Sequence, residues 1–184
     1  MLTLYHDIPS AGALVAMLRL QALADEGLAV EFGGFDVLGL DVTLPATLDD
    51  IEDWDRHRAA AADLGWDLER PRMHPSTLTA HLVGELAIEQ DLDAAWRMAV
   101  YRAHWLEHRD VGAPDVLVDV AGEAGLDTDE VRTLVEDHEL RHRLRQRMLV
   151  HRGDGVGGVP VLRFDGTFVS PNLSDDDLRG LAAL

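Results

Sequence analysis

Gly155-Val156-Gly157-Gly158-Val159-Pro160-Val161-Leu162 is the stretch on which the reading of the fold turns. A glycine-rich loop (Gly153, Gly155, Gly157, Gly158) delivers the chain into an apolar run, Val159 to Phe164, that reads as a strand and begins with a proline next to its first residue. Proline forfeits a ladder hydrogen bond, so its place at the start of a central strand needs a reason. A cis X-Pro bond, where it occurs, is a built feature; the residues alone leave the isomer of Val159-Pro160 open. Downstream, Asp165-Gly166 is a type I′ hairpin signal and Thr167 to Ser170 forms the answering strand. Ser174 then caps a terminal helix carrying Leu178 and Leu181.

Upstream, from about Leu48 to Val150, the signals are helical. Ser76 is placed to cap a helix carrying Leu78, Leu82 and Leu86, and Asp93 opens one with Trp96, Val100 and Ala103. Pro114 stands at a first-turn position, with Leu117, Val120, Ala121 and Ala124 following at helical spacing before Gly125. Thr128 starts a short helix with Val131, Leu134 and Val135, and Leu140, Leu144 and Met148 stripe the last helix of the block. At the other end of the chain, Leu2 to His6 alternates as a strand and stops at the Asp7-Ile8-Pro9 turn. A helix capped by Ser10 and ended by Gly27 leads to a second strand, Leu28 to Val37, with an irregularity expected at Gly33-Gly34.

The order is therefore βαβ, a helical block, then ββα. The two halves make one small mixed α/β sheet with helices on both faces, which is the thioredoxin arrangement. The expected organisation is a single domain: a thioredoxin-like core of residues 1–42 and 137–184, and an all-helical insertion of residues 43–136.

Several stretches carry a closer resemblance. Asp7-Ile8-Pro9-Ser10-Ala11-Gly12-Ala13 stands where DsbA-like proteins place Asp and then a CPWC or Ser-Pro-Tyr sequence opening a helix. Gly34-Phe35-Asp36-Val37-Leu38 matches the segment after the second strand, and Ser76-Thr77-Leu78-Thr79-Ala80-His81 matches an "NTxxAH" stretch. His108-Arg109-Asp110-Val111, Glu123-Ala124-Gly125-Leu126-Asp127 and the glycine-proline motif quoted above complete the series in order. The chain resembles the DsbA-like thioredoxin family, in the branch of FrnE-type proteins, 2-hydroxychromene-2-carboxylate isomerases and kappa-class glutathione transferases. That resemblance implies that Pro160 is cis and faces the start of the first helix.

The chain departs from the family at its chemical positions. Where FrnE-type proteins carry two redox cysteines it has Ser10 and Ala13, and it contains no cysteine at all. Dithiol–disulfide exchange, thiolate nucleophiles and cysteine zinc sites are excluded. The isomerases place a serine where Ser10 stands, beside the thiol of bound glutathione, but their following Pro-Tyr is replaced here by Ala11-Gly12, and a late "GA" by Ser170-Pro171.

The candidate site follows from these positions. Ser10 is the candidate catalytic residue, at a helix start whose free N–H groups and dipole favour a thiolate or carboxylate; the other reading is that it is an N-cap and nothing more. Asp7, Gly12, His81, Val159 and Pro160 are the candidate ligand-binding residues. Asp7 either orients a base or caps a turn, Gly12 reads as slack where an aromatic was lost, and His81 lies one step off the apolar stripe of its helix. The backbone beside Pro160 suits an extended, peptide-like ligand. Two functions follow as expectations. One is an isomerase- or transferase-like enzyme that uses glutathione or another low-molecular-weight thiol, with a pocket between the first helix and the insertion. The other is a catalytically degenerate binding or scaffold module. Relatives are often dimers, so a homodimer is expected alongside a small-molecule or peptide-like ligand.

Charge narrows the partners. Across 184 residues, 34 acidic groups stand against 16 basic ones, all arginine, for a formal net charge of −18. Such a surface disfavours nucleic acid and anionic membranes, and the absence of lysine excludes Schiff-base chemistry. The start of the chain lacks a basic n-region, and its apolar run from Gly12 to Leu18 is broken by Arg19; a cytoplasmic protein is expected. His138-Glu139-Leu140-Arg141-His142 matches H-E-x-x-H, but both histidines lie about 200° around the helix from the Leu140 stripe, so they face water. With no third ligand in place and Arg141, Arg143, Arg145 and Arg147 beside them, no metal site is expected.

Overall fold

The computed structural model describes residues 1–182. The chain opens with β1 (Leu2–His6), α1 (Ala11–Asp25) and β2 (Val30–Gly34). Then come β3 (Leu44–Pro45), α2 (Leu48–Asp63), β4 (Met73–His74), α3 (Leu78–Glu89), α4 (Asp93–Trp105), α5 (Pro114–Glu123), α6 (Thr128–Glu136) and α7 (His138–Gly153). β5 (Val161–Phe164), β6 (Thr167–Val169) and α8 (Asp175–Ala182) close it. The main sheet has the order β2-β1-β5-β6, with β1 parallel to β2 and antiparallel to β5, and β6 antiparallel to β5. This is the thioredoxin-like mixed sheet with a helical insertion.

The alternation of β1 sorts the helices onto its two faces. Leu2 and Leu4 share a cluster with Leu14 and Met17 of α1, Leu162 of β5 and Leu178 of α8. Tyr5 points the other way, into Phe35, Leu78 and Leu82 of the α3 side and Leu144 and Met148 of α7. Each fully buried leucine contributes about 1.5–3 kcal/mol of transfer free energy. Trp96, Tyr101, Leu117, Val120 and Val131 of the inserted helices belong to the same cluster as Leu2 and Leu4, so the insertion shares the core of the sheet. Gly27, at φ 104°, ends α1 as a C′ residue: its N–H bonds Ala24 O (2.9 Å) and the Leu28 N–H reaches back to Leu23 O (2.9 Å).

Several boundaries differ from expectation, each for a local reason. β2 is shorter than Leu28–Val37 and runs through Gly33 and Gly34 in regular register with Tyr5 and His6. The glycines mark close approach instead of irregularity: a Cβ on Gly34 would lie 2.3 Å from His81 Nδ1. α3 starts after Thr77, with no side-chain cap, so Ser76 does not cap it. α6 starts at Thr128 as expected, and the Asp127 carboxylate caps it by accepting from Asp129 N and Glu130 N. The hairpin strand begins at Val161 because the cis Val159–Pro160 bond lies outside the ladder; both Asp165 and Gly166 have positive φ (45° and 83°), as a type I′ turn requires. The helical block also holds a two-residue antiparallel ladder, Leu44 with His74 and Pro45 with Met73. α2 enters through a capping box, Thr47 with Asp50. Among the described residues, no helix is long and apolar enough to cross a membrane.

Candidate functional site

The structure sorts the sequence-derived candidates into two groups at the end of β1 and the start of α1. The first is centred on Ser10. Its backbone is extended (φ −85°, ψ 117°) and its Oγ accepts from Ala13 N (3.1 Å), as an N-cap does. The hydroxyl proton goes elsewhere: Ser10 Oγ donates to Asp53 Oδ2 of α2 (2.9 Å). The same oxygen accepts from the free Gly12 N–H (3.2 Å), and His57, one turn along α2, places Nδ1 2.9 Å from Asp53 Oδ1. Asp53 therefore brings a carboxylate to the positive end of α1 and is held there by a hydroxyl and an amide, while His57 Nδ1 bonds the Asp53 carbonyl (2.9 Å) beside it. Gly12 is not slack. A Cβ there would lie 2.9 Å from His57 Cε1 and 3.0 Å from Asp53 Oδ1, so the missing side chain is what lets α2 close on α1. The space in which the enzyme reading expects a pocket is filled by these two α2 side chains.

The second group is buried and centred on Asp7. Oδ1 accepts from Ile8 N (2.9 Å) and from His81 Nε2 (3.0 Å), and Oδ2 accepts from Val37 N (2.8 Å). The carboxylate is 1% exposed and ties three segments: the end of β1, the chain after β2, and α3. His81 is thus buried and paired, deeper than a boundary position. Beside it, Tyr101 of α4 donates its proton to the Asp7 carbonyl (3.0 Å), so His6 Nδ1 is the donor in its 3.1 Å bond to Tyr101 Oη. Burial, reinforced by His81 and Arg97, holds His6 well below the usual histidine range, and burial also pushes Tyr101 up. This cluster fills the sheet end with neutral or paired groups, and it encloses only a small cavity of about 50 Å³ lined by His6, His81 and Arg97.

Val159 and Pro160 lie in the loop before β5, whose first residue, Val161, pairs with Tyr5 near the end of β1. Their peptide bond is cis, and Val159 packs on the cluster around Tyr5, Phe35 and Met148. Arg152, at the end of α7, supports the opposite loop by donating to Asp36 O (3.1 Å) and to Val37 O. His138 and His142 are exposed, and Arg143, Arg145 and Arg147 of α7 pair with Glu139, Asp41 and Glu85.

Three residues that organise this region carry no sequence motif. Asp53 and His57 sit on a helix whose first three turns are dense in charge and carry only Leu48, Ile51 and Trp54 as apolar residues. Only the capping box Thr47-Leu48-Asp49-Asp50 could have located that helix start, and only the spacing of Asp50, Asp53 and His57 marks a common face. Asp50 itself bonds His74 (2.8 Å). Burial alone would raise Asp50, but the His74 and Thr47 hydrogen bonds outweigh it and hold the carboxyl below its usual range; burial alone would lower His74, but Asp50 holds it above. Trp105, at the end of α4, donates its indole N–H to Ile8 O (2.8 Å), two residues before Ser10.

Comparison with known proteins agrees with this architecture. A comparison with curated proteins found no match. Among solved structures, a probable DsbA oxidoreductase from Streptomyces coelicolor superposes with a TM-score of 0.82 at 24% identity, covering 99% of this chain and 88% of that one. A 2-hydroxychromene-2-carboxylate isomerase gives 0.74 at 18%, covering 99% and 92%. The cytosolic disulfide reductase DsbM from Pseudomonas aeruginosa, solved with GSH, gives 0.65 at 21%, covering 99% and 96%. At these identities the likeness establishes the fold. The model of the DSBA-like thioredoxin domain matches residues 19–182, and with it this cysteine-free chain belongs to the DSBA-like thioredoxin family.

Proposed function

We propose that the chain is a non-redox, ligand-binding member of its family, in which an internal carboxylate has replaced the thiol chemistry at the start of α1. The observation that carries this reading is the convergence of Ser10 Oγ and Gly12 N on Asp53 Oδ2. The helix terminus attracts an anion, and Asp53 already supplies one. A thiolate brought to Ser10 would stand beside that carboxylate. Two like charges about 4 Å apart repel by roughly 1 kcal/mol in water and about 4 kcal/mol at an effective dielectric of 20. That repulsion keeps a thiol protonated and inert, the reverse of what a thiol-dependent isomerase needs. What is left for a partner is the backbone at Val159 and cis Pro160, suited to an extended peptide-like ligand. A cytoplasmic location and a homodimer belong to the same proposal; fractionation and light scattering test them.

A second reading is favoured by the same donors. Ser10 and Gly12 demonstrably hold one anionic oxygen, so a ligand that displaced Asp53 would find a hydroxyl and an amide in place. In that case Ser10 serves a glutathione- or thiol-dependent isomerase or transferase, as in the isomerase to which the fold is similar. A thermal-shift series with glutathione, cysteine and mercaptoethanol separates the two. Binding to the native state alone adds about 2.7 kcal/mol at a ligand concentration 100 times Kd. No rise in Tm for the wild type, with a rise only in Asp53→Ala, is expected. A rise in the wild type that is lost in Ser10→Ala, with turnover of an aromatic substrate, would establish the thiol-dependent reading instead.

A further inference from the structure

A second cavity lies away from Ser10, on the other side of Trp105. It has a volume of about 170 Å³ and is bounded by the segment Glu69 to Met73 before β4 and by the end of α4 and the turn after it, His104 to Arg109. A single aromatic ring fits such a space: an engineered apolar cavity of about 150 Å³ takes benzene. The indole of Trp105 and the thioether of Met73 supply apolar wall.

The polar groups of the wall are unusual for this chain. On a protein of net charge −18, the cavity collects Arg72, Arg109 and two histidines against one acid, Glu69. Arg109 is already neutralised by Glu123 (2.8 Å), Glu107 and Asp119, and His108 faces Glu69 at 3.3 Å. Arg72 is exposed and makes no ion pair among the described residues, so its charge is the one left for a ligand. His104 is 6% exposed, and its Nδ1 is buried with no partner among the described residues. Burial, reinforced by His74, lowers its pKa to about 4, so at neutral pH the ring is uncharged and offers one donor and one acceptor that the protein does not use. His108 is held at φ 54°, in the left-handed region that a non-glycine residue seldom adopts. Such strain is typical of ligand sites.

We propose that this cavity is a binding site for a ring-sized small molecule carrying one anionic group, with the ring against Trp105 and Met73, a polar atom on His104 and the anion on Arg72. It is separate from the Ser10–Asp53 pair and does not depend on which reading of that pair holds.

Calorimetry on the full chain with three probes tests it. Benzoate has ring and charge, benzamide the ring alone, and acetate the charge alone. Saturable one-to-one binding of benzoate is expected, at least tenfold tighter than either of the others. Arg72→Ala, a surface change that leaves Tm unchanged, should weaken benzoate at least tenfold and leave benzamide as it was. Amide and indole NMR shifts on titration should fall on Met73, His104 and Trp105 and spare Ser10 and Ala13. Absence of saturable benzoate binding, equal affinity for acetate and benzoate, full affinity in Arg72→Ala, or shifts centred on Ser10 would each overturn the proposal.

Discussion

The start of α1 and the end of α4 are neighbours, joined by the Trp105 indole on the carbonyl of Ile8, yet they treat their polar groups in opposite ways. At α1 the hydroxyl of Ser10 and the helix amide of Gly12 bond the Asp53 carboxylate, and the His57 imidazole bonds the Asp53 carbonyl. At the end of α4 the buried His104, in the wall of a cavity, has a nitrogen with no partner among the described residues, and Arg72 across that cavity makes no ion pair among them. The helix start at Ser10 is here internally satisfied, and unused hydrogen-bonding capacity lies around it, at His104 and also at Asp36, His74, Thr77 and Arg97. Descent fixes where a site used to be; the distribution of unpaired buried groups indicates where a ligand is still needed.

The largest expected effect tests how firmly the satisfied side is built. Asp7→Ala removes a buried carboxylate that holds His81 and two backbone amides, and it should destabilise by about 3–5 kcal/mol. For a chain of this size each kcal/mol lowers Tm by roughly 2–4 °C, so thermal and urea unfolding will show the loss. Asp53→Ala, on the half-exposed side of the same region, should cost less than half as much. Equal losses would dissolve the distinction between a structural Asp7 cluster and a replaceable Asp53.

Next in size is a pH effect on the unsatisfied side. The folded pKa of His104, about 4, lies below its unfolded value of about 6.5. Between these values the unfolded chain binds the extra proton, so stability is full above about pH 6.5 and falls as the pH drops toward 4. The shift corresponds to about 3 kcal/mol. His6, also depressed by burial, acts in the same direction. His74, raised by Asp50, acts in the opposite one: its contribution is full below pH 6.5 and is lost as the pH rises through its folded pKa. Urea titrations at pH 4.5 and pH 7 should therefore show lower stability in acid, and His104→Leu should reduce the difference, with the His6 contribution left in place. An unchanged slope in that variant would mean that His104 is solvated.

The smallest effects sharpen the account of the cap. Ser10→Ala should cost about 1 kcal/mol, the ordinary value of an N-cap. Gly12→Ala gains about 1 kcal/mol of helix propensity and loses roughly 1–3 kcal/mol to crowding against His57, so unfolding should show it slightly less stable than the wild type. A stabilised Gly12→Ala would show that α2 does not need to lie close.

Most of the fold was legible. The cis-proline strand, the Asp165-Gly166 hairpin, the Gly27 helix stop and the Leu140, Leu144, Met148 stripe are local patterns, because turn chemistry and periodicity act over a few residues. The departures are also local in kind: α3 begins after Thr77 and not at a Ser76 cap, and β2 is shorter than Leu28–Val37. The two-residue β3–β4 ladder went unread, since such short strands have no period to detect. The site was less legible. Ser10, Asp7 and His81 stand out in the sequence, but nothing in it pairs Asp7 with His81 or marks Gly12 as a contact, because the partners lie 74 residues away and on α2.

The sequence by itself determined the order of elements, the family resemblance and the exclusion of thiol redox chemistry, because a missing cysteine is missing in any conformation. Tertiary structure alone decided what took its place. Asp53 reaches Ser10 across 43 residues and His81 reaches Asp7 across 74. No local pattern predicts which carboxylate fills a helix terminus or which imidazole is buried without a partner. Those outcomes depend on how α2 and α4 pack against the sheet end, and packing is set by contacts between segments that the order of residues does not place side by side.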